Sequence, residues 1–408
     1  MKPGVVIVGA GHGAGQVAFS LRQFGYDGAI TLIGEENCAP YQRPPLSKAW
    51  LAGEAGLDEV LYKPEAFWKV HNITVITGRK VMEIDRANKT VRCDDDATMP
   101  YAHLVLATGG HARRMDCPGE GLPGVHVLRT LDDANGLNQA MQPGGRLVII
   151  GGGYVGLEVA ATASKRRLDV TVLEAESRVL ARIAGADIST FFEQTHKAKG
   201  VNIITGVMAL AFEGDEKLSG VRLADGTVIP ADLALVGIGL IPNEALAREA
   251  GLVCENGIVV DDLCRTEDPY IFAIGDVTRH PNKIYGRSLR LESVHNALEQ
   301  AKTAAGAIAG RKNPYNQVPW FWSDQYDIKL QIAGLSEGYE DTVLRGGTTQ
   351  NSFAVFYFKD GGLIACDAVN APAEYMAARI MIAKGVSPDR AMLVDLDVSM
   401  KEIMMQAQ

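Results

Sequence analysis

Gly9-Ala10-Gly11-His12-Gly13-Ala14-Gly15 and Gly151-Gly152-Gly153-Tyr154-Val155-Gly156 each stand behind an apolar run, Val5-Val6-Ile7-Val8 and Leu147-Val148-Ile149-Ile150. Each is followed by an amphipathic stretch and a second apolar run, Ile30-Thr31-Leu32-Ile33 and Val170-Thr171-Val172-Leu173. Apolar strand, glycine turn, helix and strand make a βαβ unit, and glycines at this spacing let the backbone approach a pyrophosphate at a helix N-terminus. One such turn is weak evidence. Two in one chain predict two dinucleotide sites and, between them, electron transfer.

Working outward, Leu104 to Ala107 followed by Thr108-Gly109-Gly110 reads as a buried strand ending on small residues. Leu233 to Val236, followed by Gly237-Ile238-Gly239, is its counterpart after the second turn. A further strand, Ile271 to Ile274, leads to Gly275-Asp276, and an Ala-rich helix is expected from about Ser293 to Ala309. From Val318 the pattern alternates, as in Ile328-Leu330-Ile332, which predicts antiparallel strands. A helix should begin at Pro372 and stop near Gly385, whereas 401–408 fits a docked helix or a frayed tail equally. The predicted fold is α/β: two Rossmann-like dinucleotide-binding domains, one inserted in the other, plus a C-terminal α+β domain with an antiparallel sheet. The expected boundaries are 1–110 with 241–317, 111–240, and 318–408.

Composition narrows the chemistry. With 47% apolar and 22% charged residues the 408-residue chain is an ordinary globular protein, and its net charge of −9 comes without a basic run, which argues against nucleic acid. Six cysteines show neither C-x-x-C nor C-x4-C spacing, so no redox dithiol, zinc or iron–sulfur site is signalled and no metal is expected. Met1 to Gly4 leave no room for a signal peptide before the first strand, and no apolar run spans a bilayer. A cytoplasmic protein without membrane contact is the expectation.

The residues expected to line the first cofactor turn are Gly9, Gly11, Gly13 and Ala14, with Ala14 replacing the third glycine, a variation the fingerprint allows. In the second turn they are Gly151, Gly153, Val155 and Gly156, with Ala107 and Gly239 at the ends of the companion strands. Glu35 and Glu174 are placed to accept hydrogen bonds from a ribose and to repel a 2'-phosphate, which favours NADH over NADPH. Glu36 rivals Glu35, and Arg178 or Arg182 would instead receive that phosphate. Asp276 reads equally as a turn aspartate, and His12 and His295 as backbone partners.

The order of motifs resembles the FAD-dependent, glutathione-reductase-like pyridine nucleotide oxidoreductases, down to Thr266-Glu267-Asp268-Pro269-Tyr270-Ile271-Phe272-Ala273-Ile274-Gly275-Asp276. Pro44-Pro45-Leu46-Ser47-Lys48, the run Gly151 to Glu158, Gly237 to Asn243, Glu292 to Ala297 and Pro319 to Tyr326 narrow the likeness. Together they resemble the putidaredoxin-reductase-like NADH:ferredoxin reductases over nearly the whole chain.

That resemblance implies FAD at the first fingerprint and NADH at the second. The implied FAD contacts are Gly13, Glu35, Lys48, Val81, Arg129, Asp276 and Val294. Ser293 is independently a plausible N-cap, which would aim the following helix's positive end at the flavin. The resemblance places Lys48 and Glu158 near the reacting flavin atom, Lys48 stabilising reduced flavin and Glu158 holding it, while Trp322 is a candidate for the electron exit. As bare residues Lys48 and Glu158 read as surface charges, and Trp322 reads equally as a buried aromatic of the third domain. Cys38 does not match the cysteine pattern of the related disulfide reductases and peroxidases.

The implied activity is transfer of electrons from NADH, one at a time, to a small two-iron, two-sulfur ferredoxin that supplies a haem monooxygenase. Arg290, Lys302, Lys329 and Lys401 are the docking candidates for so acidic a partner, or else solvated charges. Rivals are a rubredoxin reductase, the reductase of a ring-hydroxylating dioxygenase, an NADH oxidase, and a binding flavoprotein similar to apoptosis-inducing factor.

Overall fold

The computed structural model describes residues 3–408 and divides into two compact units. The first comprises residues up to Arg43, Gly56–His111 and Leu240–Pro319. Its parallel sheet runs in the order Ile73–Ile76, Ile30–Ile33, Gly4–Val8, Thr98–Leu106, Ile271–Ala273. Thr98–Leu106 is long because its first half pairs antiparallel with Thr90–Cys93, which continues to Val81–Asp85.

Alternation along Gly4–Val8 shows why both faces must be covered. Val5 and Ile7 join one apolar cluster with Val17 and Leu21 of helix His12–Gln23 and Ala301 and Ala304 of helix Val294–Ile308. Val6 and Val8 join a second cluster on the opposite face with Val91, Leu252 and Ile258. A strand buried on both faces reads as an uninterrupted apolar run, as this one does.

The second unit comprises Pro44–Ala55, Ala112–Gly239 and Trp320–Gln408. Its parallel sheet has the order Asn202–Thr205, Asp169–Glu174, Arg146–Ile150, Leu233–Val236, Val125–His126. The C-terminal antiparallel sheet has the order Trp320–Gln325, Ile328–Gly334, Gly362–Val369, Ser352–Lys359, Asp341–Gly347. Ile328, Leu330 and Ile332 point inward as the period-two pattern requires.

Residues 44–55, read as part of the first domain, group with the second unit, and the C-terminal residues share one apolar cluster with the second nucleotide fold. The cause is continuous burial: Leu51, Leu157, Ile188, Phe192, Leu330 and Phe353 belong to the same core. Near the C-terminus helix Pro372–Lys384 ends on Gly385 at φ +66°. Met400–Gln406 is a helix, held by a reciprocal cap in which Ser399 and Glu402 satisfy each other's backbone N–H groups.

Candidate active site

The two glycine turns are built alike. Gly9 has φ +118°, and a Cβ there would lie 2.2 Å from the Ala107 carbonyl oxygen; Gly151 has φ +108°, and its Cβ would lie 2.4 Å from that of Gly237. Both positions therefore exclude any side chain. The next glycines behave oppositely: around a Cβ built on Gly11 or Gly153 nothing beyond the adjoining chain lies within 4 Å. Each is the N-cap of its helix, His12–Gln23 or Tyr154–Lys165, with extended backbone, no capping side chain and no acidic residue in the first turn. Helix N–H groups thus face open space, an arrangement that suits a pyrophosphate.

In the first unit, Gly13 lies beside Ile274 and the Ala297 carbonyl, and Gly275 beside Ala297, so the turn, Asp276 and the start of the helix at Val294 gather at one end of the sheet. Ser293 caps that helix, its hydroxyl accepting from Asn296 N–H at 3.1 Å. Glu35 is exposed and pairs with Lys80 at 3.0 Å, next to Val81, whereas Glu36 is engaged by Arg43 at 2.7 Å and by the Tyr41 hydroxyl at 2.6 Å. Of the two, Glu35 has the accessible carboxylate.

In the second unit, Glu174 is nine-tenths buried and turned into its own fingerprint, accepting from Gly152 N–H at 2.7 Å and Glu176 N–H at 2.9 Å. It shapes the turn. Arg178 donates to the Ala181 and Ala184 carbonyls and to the Ser189 hydroxyl, whereas Arg182 is exposed. Gly239, at φ +115°, accepts from Arg113 N–H beside the second turn, and Val155 is exposed at the helix start. Arg129 precedes the capped helix Leu131–Ala140, its N–H held by Asp133 at 3.0 Å.

The same unit assembles a buried polar cluster. Glu158, on helix Tyr154–Lys165, is 4% exposed. Its Oε2 accepts from Lys48 Nζ at 2.7 Å and from the Ser47 hydroxyl at 2.5 Å; its Oε1 accepts from the Ser323 hydroxyl at 2.7 Å. Lys48 Nζ also reaches the Pro44 carbonyl, and Thr162, one turn along the helix, binds the Ser47 carbonyl. A carboxylate buried to this degree persists because it is paired and fully hydrogen-bonded. Sequence reasoning named Lys48 and Glu158 but missed Ser47 and Ser323, although each adjoins a residue already singled out. Trp322, adjacent to Ser323, is half-buried and packs on Trp320 with ring centroids 5.5 Å apart.

The six cysteines are free. Burial raises the Cys38 thiol, with Glu36 and Glu65 adding to the effect, so it lacks the lowered value of a reactive thiolate. Arg290 is ion-paired with Glu292, Lys302 with Glu299 and Lys329 with Asp324, while Lys401 is exposed on the last helix. No helix among the described residues is long and apolar enough to cross a membrane.

Two dinucleotide cradles and a buried Lys–Glu pair, with no cysteine pair, define a two-cofactor oxidoreductase. Residues 3–301 match the pyridine nucleotide-disulphide oxidoreductase family and residues 320–404 the reductase C-terminal family. The probable ferredoxin reductase CtmF of Castellaniella defragrans is 45% identical over 96% of each chain. Putidaredoxin reductase CamA of Pseudomonas putida is 41% identical over 99% of this chain and 97% of its own. The crystal structure of the covalent putidaredoxin reductase–putidaredoxin complex superposes with a TM-score of 0.96 at 41% identity, covering 100% of this chain and 99% of that one. The chain belongs to the pyridine nucleotide-disulphide oxidoreductase family, and membership implies FAD and NAD(P) as its cofactors. The open cradles at Gly11 and Gly153 fit them.

Proposed function

We propose that this protein is a cytoplasmic NADH-dependent reductase of a small two-iron, two-sulfur ferredoxin that supplies a haem monooxygenase. The observation that carries the reading is the full-length likeness, C-terminal sheet included, to a reductase crystallised in covalent complex with putidaredoxin. The bound flavin would supply the conversion of a two-electron donor into a one-electron donor, chemistry no side chain offers.

The chain's own residues supply position and charge. Gly9, Gly11, Gly13, Ala14 and Ala107 with Asp276 and Val294 form the FAD cradle, and Glu35 takes the adenosine ribose with Val81 and Arg129 as further contacts. Gly151, Gly153, Val155, Gly156 and Gly239 form the NADH cradle. NADH is preferred because Glu174 puts a buried carboxylate in this turn and Arg178 is already consumed by three local acceptors. Lys48 provides a fixed positive charge for the reduced flavin, Glu158 holds it there, and Trp322 lies on the electron exit. Arg290, Lys302, Lys329 and Lys401 are the docking cations.

The test is NADH-driven cytochrome c reduction with and without an added two-iron ferredoxin. Strong dependence on the ferredoxin is expected. Dependence on rubredoxin instead, or rapid NADH loss that ignores either protein, overturns the assignment of the acceptor.

A further inference from the structure

Glu158 is not held by Lys48 alone. From its Oε1 a single line of hydrogen bonds runs out through the second unit: Glu158 accepts from Ser323, Ser323 Oγ accepts from Gln325 Nε2 at 3.1 Å, and Gln325 Oε1 meets His196 Nε2 at 2.8 Å. His196 Nδ1 meets the Tyr326 hydroxyl at 3.1 Å. Tyr326 lines an open surface cleft with Ser164, Lys165, Lys199 and Asp327. Ser323, Gln325 and His196 are wholly buried, so each link has only its neighbours to satisfy it.

We propose that Ser323, Gln325, His196 and Tyr326 are positioning residues that fix the orientation of the Glu158 carboxylate, with the Tyr326 hydroxyl setting the direction of every bond in the line. This rests on the proposed role of Glu158 and Lys48. The direction follows from donor inventory. If Tyr326 donates to Nδ1, neutral His196 carries its proton on Nε2 and donates to the Gln325 carbonyl oxygen. The Gln325 amide then presents its N–H to Ser323. A serine hydroxyl that receives this bond has its own proton left to give, and Glu158 Oε1 is the acceptor in reach. A reversed amide would instead take the Ser323 proton and strip Glu158 of one donor.

Burial pushes the His196 imidazole below its ordinary value, which keeps the neutral form. Ser323 and Gln325 share one face of strand Trp320–Gln325, two residues apart, so a single strand carries two links.

An independent observation comes from the backbone. Gln325 pairs with Ile328, so Tyr326-Asp327 is a two-residue hairpin loop, and Tyr326 sits at φ +59° where glycine or asparagine is ordinary. A bulky residue is strained there. The Tyr326 hydroxyl joins the line at the surface, where Ser164 also meets it.

The experiment is stopped-flow reduction of FAD-loaded protein by NADH, together with 15N NMR of the protein labelled at histidine. Wild type should show His196 as the Nε2–H tautomer, and Tyr326→Phe should disturb it. Gln325→Leu should lower the limiting reduction rate about tenfold with the apparent Kd for NADH unchanged, the size usual for residues that orient a reacting group. Combined with Glu158→Gln it should add nothing, because both changes remove the same effect. Tyr326→Gly should relieve the backbone yet slow reduction, a pairing that a merely structural role does not produce. Tyr326→Phe keeps the test decisive if Gln325→Leu does not fold.

An Nδ1–H tautomer in wild type, or additive losses in the double variant, overturns the line. Unaltered reduction in Glu158→Gln with the Nε2–H tautomer present overturns instead the role of Glu158 on which the line rests.

Discussion

Glu158 concentrates the chemistry of single residues in this protein. Its carboxylate holds Lys48, Ser47 and Ser323 at once, so Glu158→Gln should keep a similar shape while releasing the Lys48 charge. The limiting rate of flavin reduction by NADH is expected to fall ten- to a hundredfold, as is common when an orienting contact is lost. Lys48→Met should fall as far and leave Glu158 buried without its cation, a change that costs about 3–5 kcal/mol in stability. Gly9→Ala meets the Ala107 carbonyl at 2.2 Å in a backbone region that side chains avoid, and protein purified with far less than one FAD per chain is the expected result.

A second buried carboxyl carries a pH effect. Asp367 is wholly buried beside Tyr357, whose hydroxyl donates to it at 2.6 Å and itself accepts from Gly185 N–H. Burial raises Asp367 from 3.8 to about 7, and the bonds only partly oppose that rise. The folded protein therefore keeps a proton that the unfolded chain releases, and the stability this brings is full below about 4 and lost as pH rises through about 7. Asp367→Asn should flatten that part of the Tm profile, and a wild-type minus variant difference constant between pH 4 and 8 would refute it. Nothing in the sequence singles out Asp367, because burial of a carboxylate has no periodic signal.

At the scale of elements, helix Val294–Ile308 and the fingerprint helices show two ways of ending. Ser293 caps its helix with a side chain, so Ser293→Ala should cost about 1 kcal/mol of stability, read as a lowered Tm. Gly11 and Gly153 cap their helices without a side-chain bond, and on the proposed function a dinucleotide would supply those partners. The strand Trp320–Gln325 does double duty. One face contributes Ser323 and Gln325 to the cluster around Glu158, and its neighbours Phe321 and Tyr154 stack at 4.4 Å. Alternation showed that this segment was a strand, but not that it would contribute to the site, since hydrogen bonds between positions 158 and 323 leave no trace in local spacing.

At the scale of the whole molecule, net charge and partner point in different directions. On the proposed function, an acidic ferredoxin docking on a chain of net charge −9 would need a local concentration of cations. Lys302→Glu is expected to raise the KM for ferredoxin severalfold and to weaken its salt dependence, with NADH reduction of FAD unchanged; an unaltered KM rejects that docking position. Lys302 already pairs with Glu299 at 2.6 Å, so part of its charge is compensated locally.

Both βαβ units, their glycine turns, the antiparallel character of the C-terminal strands and the stop at Gly385 were legible in the amino-acid order. All of these depend on periodicity, backbone freedom and caps, which act over a few neighbouring residues. That residues 44–55 pack with the second unit, that Glu174 turns inward onto Gly152, and that Ser47, Lys48, Glu158 and Ser323 meet became visible in the folded chain. Those outcomes depend on which distant groups are close enough to share a proton or a charge, and burial makes such contacts strong without requiring any particular spacing in the chain.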